Sequence, residues 1–310
     1  MGKKIPTTVS FNLPNGTPVV IETGKLATQA DGSVVVRIGN TMLFASVVSA
    51  KEPREGQSFF PLSVDYQEKF AGAGRIPGNF FRRESKLSDY EVLISRLVDR
   101  AIRPLFPDGY MNDTQVILNL LSGEEETLPD AYAALAASAA LTLSDIPWKG
   151  PISEVRVARI DGNFHINPDK SELERADLDL IVAADLNNIM MVEGEANECQ
   201  EKDLVDAIKV AHDAIKVQCQ AQLDLRAALG DAAKAKREVE EPEQDEEIEK
   251  KVEQLAKDKI YQVAKSFLAK HERKDAFEKI AEEVIEYFTN EKGEEYIEEK
   301  EGLIKDYLKD

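Results

Sequence analysis

The sequence predicts an α+β domain of about 225 residues followed by a small all-helical domain. Three observations carry this. Short β-branched runs joined by hairpin turn pairs fill the first part of the chain. Stretches with apolar residues three and four apart break in among them. An acidic run around Pro242 follows, and beyond it the pattern is helical throughout. The expected divisions are 1–228 for the first domain, 229–246 for an acidic linker and 247–310 for the helical domain.

Thr7–Phe11 and Pro18–Glu22 flank Asn15-Gly16, a turn pair that favours a tight hairpin. Val34–Ile38 and Met42–Val48 flank Gly39-Asn40 in the same way, and their near-continuous apolar character suits buried strands. Leu62–Tyr66 is a further strand. The glycine-rich stretch 71–79 cannot hold regular structure, and its glycines let the backbone approach something closely. A helix is expected over 86–103, with Leu87, Tyr90, Ile94, Leu97, Val98 and Ala101 on one face and Arg96, Arg100 and Arg103 on another. Pro104 ends it. Val116–Leu121 is a strand and 130–143 an alanine-rich helix suited to close packing on a sheet. Strands follow at Ile152–Ala158, near Phe164–Ile166, at Asp177–Ala183 and at Ile189–Glu193, then a long helix over 200–226. In the tail, one helical pattern carries Ile248, Val252, Leu255, Val263 and Phe267, a second Phe277, Ile280, Val284 and Phe288, and a third Ile297, Ile304 and Leu308.

Composition excludes several classes. The chain has 310 residues, 43% hydrophobic and 31% charged, enough for one sizeable core and a smaller one. No apolar run reaches the roughly 18 residues of a membrane span. Met1-Gly2-Lys3-Lys4-Ile5-Pro6 leads into no apolar segment of a secretory signal, and Thr7 is misplaced for myristoylation. Cys199 and Cys219 are too few for a disulfide framework or zinc site, and the expected compartment is the cytoplasm. His165, His212 and His271 do not cluster at ligand spacing, so no metal site is expected in this chain.

The net charge of −19 argues against generic nucleic-acid binding, but its distribution points the other way. Residues 69–104 hold eight Lys/Arg against four acids, whereas 231–310 hold 16 against 25. Within the basic stretch, Phe80, Phe81, Arg82 and Arg83 set adjacent aromatics beside adjacent guanidiniums on a glycine-rich loop. Aromatics stack on unpaired bases at about 1–3 kcal/mol per base, and arginine pairs with phosphate oxygens. The candidate RNA-binding residues are therefore Phe80, Phe81, Arg82, Arg83, Arg96, Arg100 and Arg103. The competing reading makes one phenylalanine core and pairs the arginines with acids.

No catalytic residue is expected in this chain. Asp177 and Asp179 would share a face of a strand and could hold Mg²⁺, or simply face solvent. The strand-to-helix loop 123–130 could seat a phosphate at a helix N-terminus, but Glu124, Glu125 and Glu126 fill it with like charge.

The runs Gly74-Arg75-Ile76-Pro77-Gly78-Asn79-Phe80-Phe81-Arg82-Arg83-Glu84 and Arg96-Leu97-Val98-Asp99-Arg100-Ala101-Ile102-Arg103-Pro104-Leu105-Phe106-Pro107 closely resemble the bacterial polynucleotide phosphorylase family. Supporting stretches are Gly56–Glu68 and Gly150-Pro151-Ile152. The match covers about 1–225 as the first of that family's two RNase PH-like halves, and the tail matches the helical domain between them. The resemblance implies an RNase PH-like β-sheet with helices, of the ribosomal protein S5 domain 2-like kind. It implies processive 3′→5′ phosphorolysis of single-stranded RNA to nucleoside diphosphates, with Mg²⁺ and inorganic phosphate serving the full-length enzyme and none bound here. It further implies a homotrimeric ring whose channel is lined by loops like 80–83, RNA-degradation partners and no membrane. The family's serine-rich phosphate loop and metal-binding acids belong to its second half. Here the phosphate loop reads Gly123-Glu124-Glu125-Glu126-Thr127. Asp177 and Asp179 persist, with Leu173 at the preceding acidic position and Ile181 where a lysine is expected. The chain is expected to be a fragment that binds and does not cleave. Two alternatives stand beside this: an independently active RNase PH-like phosphorolytic enzyme, and a non-catalytic structural ring subunit.

Overall fold

The computed structural model describes residues 6–54, 57, 59–74, 76, 86–239 and 245–309. They form two compact units, Met1–Glu240 and Glu241–Asp310.

The first unit is α+β, as the alternating runs require. Strands β1 (Thr7–Asn12), β2 (Pro18–Thr23), β3 (Gly32–Ile38), β4 (Thr41–Ser49), β5 (Leu62–Glu68) and β6 (Thr114–Ser122) make one sheet in the order β1-β2-β3-β4-β6-β5. All pairs are antiparallel except β5 with β6, which helix α1 (Asp89–Ile102) joins by a crossover. Strands β7 (Ser153–Ile160), β8 (Asn163–Ile166), β9 (Ala176–Ala184) and β10 (Ile189–Ala196) make a second, antiparallel sheet in the order β10-β9-β7-β8.

Helix α2 (Asp130–Leu143) is buried along its whole length and packs against β3, β4 and β7, so it is the layer between the two sheets. Its apolar, alanine-rich circumference explains the placement: a helix with no polar face has no side to give to water. The approach is so close that a Cβ on Gly32 of β3 would lie 2.1 Å from the Ala140 carbonyl oxygen. Helix α3 (Glu201–Ala228) covers the other face of the second sheet, where Ala207, Ala211, Ile215 and Cys219 meet Val155, Val157, Leu180 and Val182. Burial pushes the Cys219 thiol up to about 12, so it is an inert core group.

The chain divides later than the composition suggested. Residues 233–239, expected as the start of a linker, are strapped onto the first unit. Lys236 Nζ donates to the carbonyls of Leu141 (2.8 Å) and Ser144 (3.0 Å) at the C-terminal end of α2. Arg237 pairs with Asp145 at 2.9 Å and Asp31 at 3.0 Å, and Val239 packs on the core. The acidic composition of the segment hid Lys234, Lys236 and Arg237, which come before the acids and find partners at the C-terminal end of α2, at Asp145 beyond it and at Asp31 just before β3.

The second unit is a bundle of α4 (Glu246–Lys265), α5 (Lys270–Lys292) and α6 (Glu294–Tyr307) around Ile248, Val252, Ala256, Ile280, Val284, Phe288 and Ile304. Asp245 caps α4, accepting from the amides of Glu247 and Ile248. One expected core residue is misplaced. Phe267 continues the apolar spacing of α4 in sequence, yet α4 ends at Lys265, and Phe267 is 95% exposed with φ of 55°.

Candidate nucleic-acid interface

The basic stretch is rooted by α1. Ser88 and Glu91 close a reciprocal cap: the Glu91 amide donates to Ser88 Oγ (3.3 Å) and the Ser88 amide to Glu91 Oε2 (2.6 Å). Glu91 is itself buried, and its other oxygen accepts from the Glu68 amide at 2.9 Å, which ties the start of α1 to the end of β5. One turn on, Ser95 Oγ accepts from the Tyr66 amide at 2.9 Å. Ile94, Leu97, Val98, Ala101 and Ile102 then fill the core side.

The glycine-rich approach starts from the same edge. Its first residues, Phe70–Ala73, form a short 3₁₀ turn where no regular structure was expected. The close approach that the glycines permit is to the protein itself: a Cβ on Gly72 would lie 2.1 Å from the Leu121 carbonyl oxygen at the end of β6. Phe80, Phe81, Arg82 and Arg83 lie outside the described residues.

The outer side of α1 borders an open groove of about 990 Å³ whose lining includes Asp65, Leu93, Arg96, Arg100, Arg103 and Glu193. The three arginines differ in what they are free to do. Arg103 is committed to the fold: Nε and Nη2 each donate to Asp99 at 2.7 Å, Nη1 and Nη2 donate to the carbonyls of Phe60 (3.2 Å) and Leu62 (3.1 Å), and its guanidinium lies 5.7 Å from the centre of the Phe60 ring. Arg100 is exposed and pairs with Glu193 of β10. Arg96 is exposed and holds no ion pair among the described residues. The groove also exposes Val92 (43%) and Leu93 (52%) beside these cations, which the helical periodicity alone did not flag.

The two places that the sequence offered for a phosphate and a metal are filled by the chain itself. In the 123–127 loop, Glu124 Oε1 accepts from Asn40 Nδ2 (2.7 Å) and the Asn40 amide (3.2 Å). Glu126 Oε2 accepts from the Ser171 amide at 2.9 Å, and hydrogen bonding from the Ser171 side chain, then from this amide, lowers the Glu126 carboxyl below its ordinary range. At the start of α2, the Ala131 amide donates to Asp130 Oδ1 at 2.7 Å. The amides of Asn40, Ser171 and Ala131 are thus engaged with carboxylates, and that of Glu124 with Thr41 Oγ1.

Asp177 and Asp179 do not converge on one point, although period-two spacing on β9 suggested it. Asp179 accepts from Arg156 Nη1 at 2.5 Å, and the same guanidinium reaches Asp130 of α2 at 2.5 Å. Asp177 accepts from Arg159 Nε at 2.8 Å, and Arg159 also reaches Asp203 of α3 at 2.5 Å. α2 and α3 cover opposite faces of this sheet, and the β7–β9 register shifts between Arg159 and Ile160. Each aspartate already has a full positive charge in contact. Burial opposes the charge on Arg156, but Asp130 and Asp179 outweigh it and raise its pKa. The pairing arginines went unnoticed in the sequence because strand register decides which β7 residue meets which β9 residue. Glu154, on the Arg156 side of β7, is fully buried with neither carboxyl oxygen hydrogen-bonded, and burial pushes its pKa well up. Among the described residues no group of three His, Cys, Asp or Glu is placed to hold a metal ion.

Residues 16–147 match the model of domain 1 of the 3′ exoribonuclease family, and residues 150–214 match domain 2. The polyribonucleotide nucleotidyltransferase of Parabacteroides distasonis is 53% identical over 305 residues, 98% of this chain and 40% of that protein. That of Bacteroides fragilis is 53% identical over 306 residues, 98% of this chain and 42% of the relative. That of Amoebophilus asiaticus is 54% identical over 288 residues, 92% and 40%. The chain thus spans about 40% of the length of the curated relatives it matches. A chain of the solved Archaeoglobus fulgidus exosome with RNA bound to the active site shares the fold at TM-score 0.50 and 17% identity, over 64% of this chain and 85% of that one.

Proposed function

The chain belongs to the 3′ exoribonuclease family, and from that premise we propose that it is the RNA-holding first portion of a polyribonucleotide nucleotidyltransferase that does not itself carry the catalytic centre. The observation that carries the reading is 53% identity across 98% of the chain to curated proteins of that name. The open groove on α1 supports the division of labour, because it pairs exposed cations with exposed apolar surface beside the root of the glycine-rich loop.

In phosphorolysis an oxygen of inorganic phosphate attacks the phosphorus of the terminal phosphodiester. The bond to the 3′ oxygen of the preceding nucleotide breaks, that oxygen takes a proton, and a nucleoside diphosphate leaves. The reaction needs a cradle for phosphate and cationic stabilisation of charge on the phosphoryl oxygens. Residues 123–127 offer carboxylates where the cradle would be, and Asp177 and Asp179 are neutralised by Arg159 and Arg156. These residues fit neither a phosphate nor Mg²⁺. We therefore assign both to the portion of the relatives beyond the matched length.

What this chain supplies is grip. Arg96, and Arg100 on exchanging Glu193 for a phosphate, would hold the RNA backbone, and Phe80, Phe81, Arg82 and Arg83 complete the grip. Arg103 fixes the helix that presents them. The assembly proposed is a ring of three copies in the cytoplasm, joined by partners in RNA degradation.

The test is a salt titration of fluorescent poly(A) binding, together with ADP release from poly(A) and phosphate. Arg96→Glu/Arg100→Glu and Arg82→Ala/Arg83→Ala should each weaken binding at least tenfold and flatten the salt dependence by roughly one counterion for each phosphate no longer held. No ADP should appear. Equal binding by wild type and both variants refutes the grip, and steady ADP release by the purified chain refutes the absence of a catalytic centre.

A further inference from the structure

Glu91 does more than cap a helix. Its side chain is buried, at 5% exposure, and both of its oxygens accept hydrogen bonds. Oε2 accepts from the Ser88 amide at 2.6 Å and from Ser88 Oγ at 2.7 Å. Oε1 accepts from the Glu68 amide at 2.9 Å. Glu68 is the last residue of β5 and Ser88 the residue before α1, so one carboxylate joins the two ends of the 19-residue stretch 69–87. That stretch carries Phe80, Phe81, Arg82 and Arg83 in the sequence, and Arg96 and Arg100 follow on α1. The entry end is held further along as well: the Lys69 amide donates to the Leu120 carbonyl at 3.0 Å, and Gly72 lies against the Leu121 carbonyl.

Capping alone does not call for this. Glu172 and Glu272 also accept from the amide three residues back, Asp169 at 3.1 Å and Ala269 at 3.2 Å. Neither is buried, and among the described residues neither reaches another strand or helix. Burying a carboxylate is costly unless it is well hydrogen-bonded. Here two amides and a hydroxyl donate to it. A glutamine would keep one acceptor and turn its NH₂ on a backbone N–H. The position therefore demands Glu, where an ordinary capping box takes Glu or Gln. What the second oxygen adds is a fixed separation between the end of β5 and the start of α1.

We propose that Glu91 is a positioning residue of the RNA grip: by clamping Glu68 to Ser88 it holds the 69–87 stretch and the arginines of α1 in a fixed relation, so that both bear on one strand of RNA. The proposal deepens the RNA-holding reading above and rests on it. Two sets of contacts on one rigid frame bind a polymer far more tightly than the same contacts acting separately, because the second set forms at a high effective concentration. Without the clamp every cation is still present, but the coupling between the two sets is lost.

The experiment is a double-mutant cycle on the full chain, read by anisotropy of fluorescent poly(A) well below the unfolding transition. Glu91→Gln should weaken binding about tenfold. Arg82→Ala/Arg83→Ala should cost the Glu91→Gln protein less than about threefold, against at least about tenfold in wild type. Ile215→Ala, in the core beneath α3, lowers the melting temperature without touching the clamp and should leave binding unchanged. Glu68→Pro deletes the donor on the β5 side and leaves the Ser88 cap; it should reproduce both effects of Glu91→Gln, and it decides the matter if Glu91→Gln does not fold. Three results overturn the proposal and leave the grip standing: Glu91→Gln binding as wild type, an undiminished cost of the arginine pair in its background, or a loss no larger than that of Ile215→Ala. If instead Arg82→Ala/Arg83→Ala and Arg96→Glu/Arg100→Glu bind as wild type does, the RNA-holding reading itself fails and takes the proposal with it.

Discussion

Replacing Arg156 by Met tests the claim that the acidic strand of the second sheet is internally neutralised. The guanidinium sits 2.5 Å from Asp130 and 2.5 Å from Asp179, with side-chain exposures of 15%, 4% and 20%. Methionine keeps the volume but leaves two poorly solvated carboxylates facing the same space, with Glu154 behind them. Removing one partner of a buried ion pair costs about 3–5 kcal/mol. For a unit of this size, about 2–4 °C is lost per kcal/mol, so the first transition in a thermal melt at pH 7.5 should fall by roughly 10 °C. Adding Asp130→Asn and Asp179→Asn to Arg156→Met should recover most of the loss, because the stranded charge is then gone. A melting temperature within about 2 °C of wild type would refute the reasoning, and would mean that water reaches these carboxylates freely.

Other outcomes follow from the same geometry. Glu154→Met should stabilise the first unit by about 1–3 kcal/mol at pH 7.5, since an unpartnered buried carboxyl is replaced by an apolar group. The sign is fixed by the raised folded pKa: wild-type stability is lost as pH rises above the ordinary value of 4.5, so the variant should lack that slope in urea unfolding. Asp145 behaves oppositely. Burial opposes its charge, but bonds from Arg237 and Lys51 outweigh this and hold it near 2 against an ordinary 3.8, so about 2 kcal/mol should be lost as pH falls across that window and much less in Arg237→Met. Burial, aided by Arg226, lowers Lys236 from 10.5 to about 8, so stability should rise from pH 8 to 10.5 in wild type and not in Lys236→Met. Arg103→Met should lower the melting temperature, whereas Arg96→Glu should leave it unchanged and weaken only RNA binding; circular dichroism and anisotropy on the same samples separate the two.

The helical tail shows where periodicity misleads. Ile248, Val252, Ile280, Val284 and Phe288 were legible as core because each repeats at helical spacing within one helix. Phe267 fitted the same spacing, but the repeat carries no information about where the backbone leaves the helix, and α4 stops two residues earlier. On α1 the spacing correctly placed Arg96, Arg100 and Arg103 away from the apolar face, yet it could not tell which was spoken for. Arg103 is held by carbonyls of Phe60 and Leu62, which are distant in sequence.

The sequence by itself determined the fold class, the strands and helices, and the concentration of basic charge in 69–104 within an acidic chain. These are properties of local composition and of periods of two and 3.6, which neighbouring residues set among themselves. Tertiary structure alone decided the pairing of charges. Which β7 arginine faces which β9 aspartate depends on strand register. Whether Lys236 and Arg237 belong to a linker depends on carbonyls at the end of α2 and on Asp31 and Asp145. Whether Arg96 or Arg103 is free depends on backbone groups some 40 residues away. A charge is solvated, stabilising or available to a ligand according to what lies within a few ångströms of it, and only the folded chain fixes those distances.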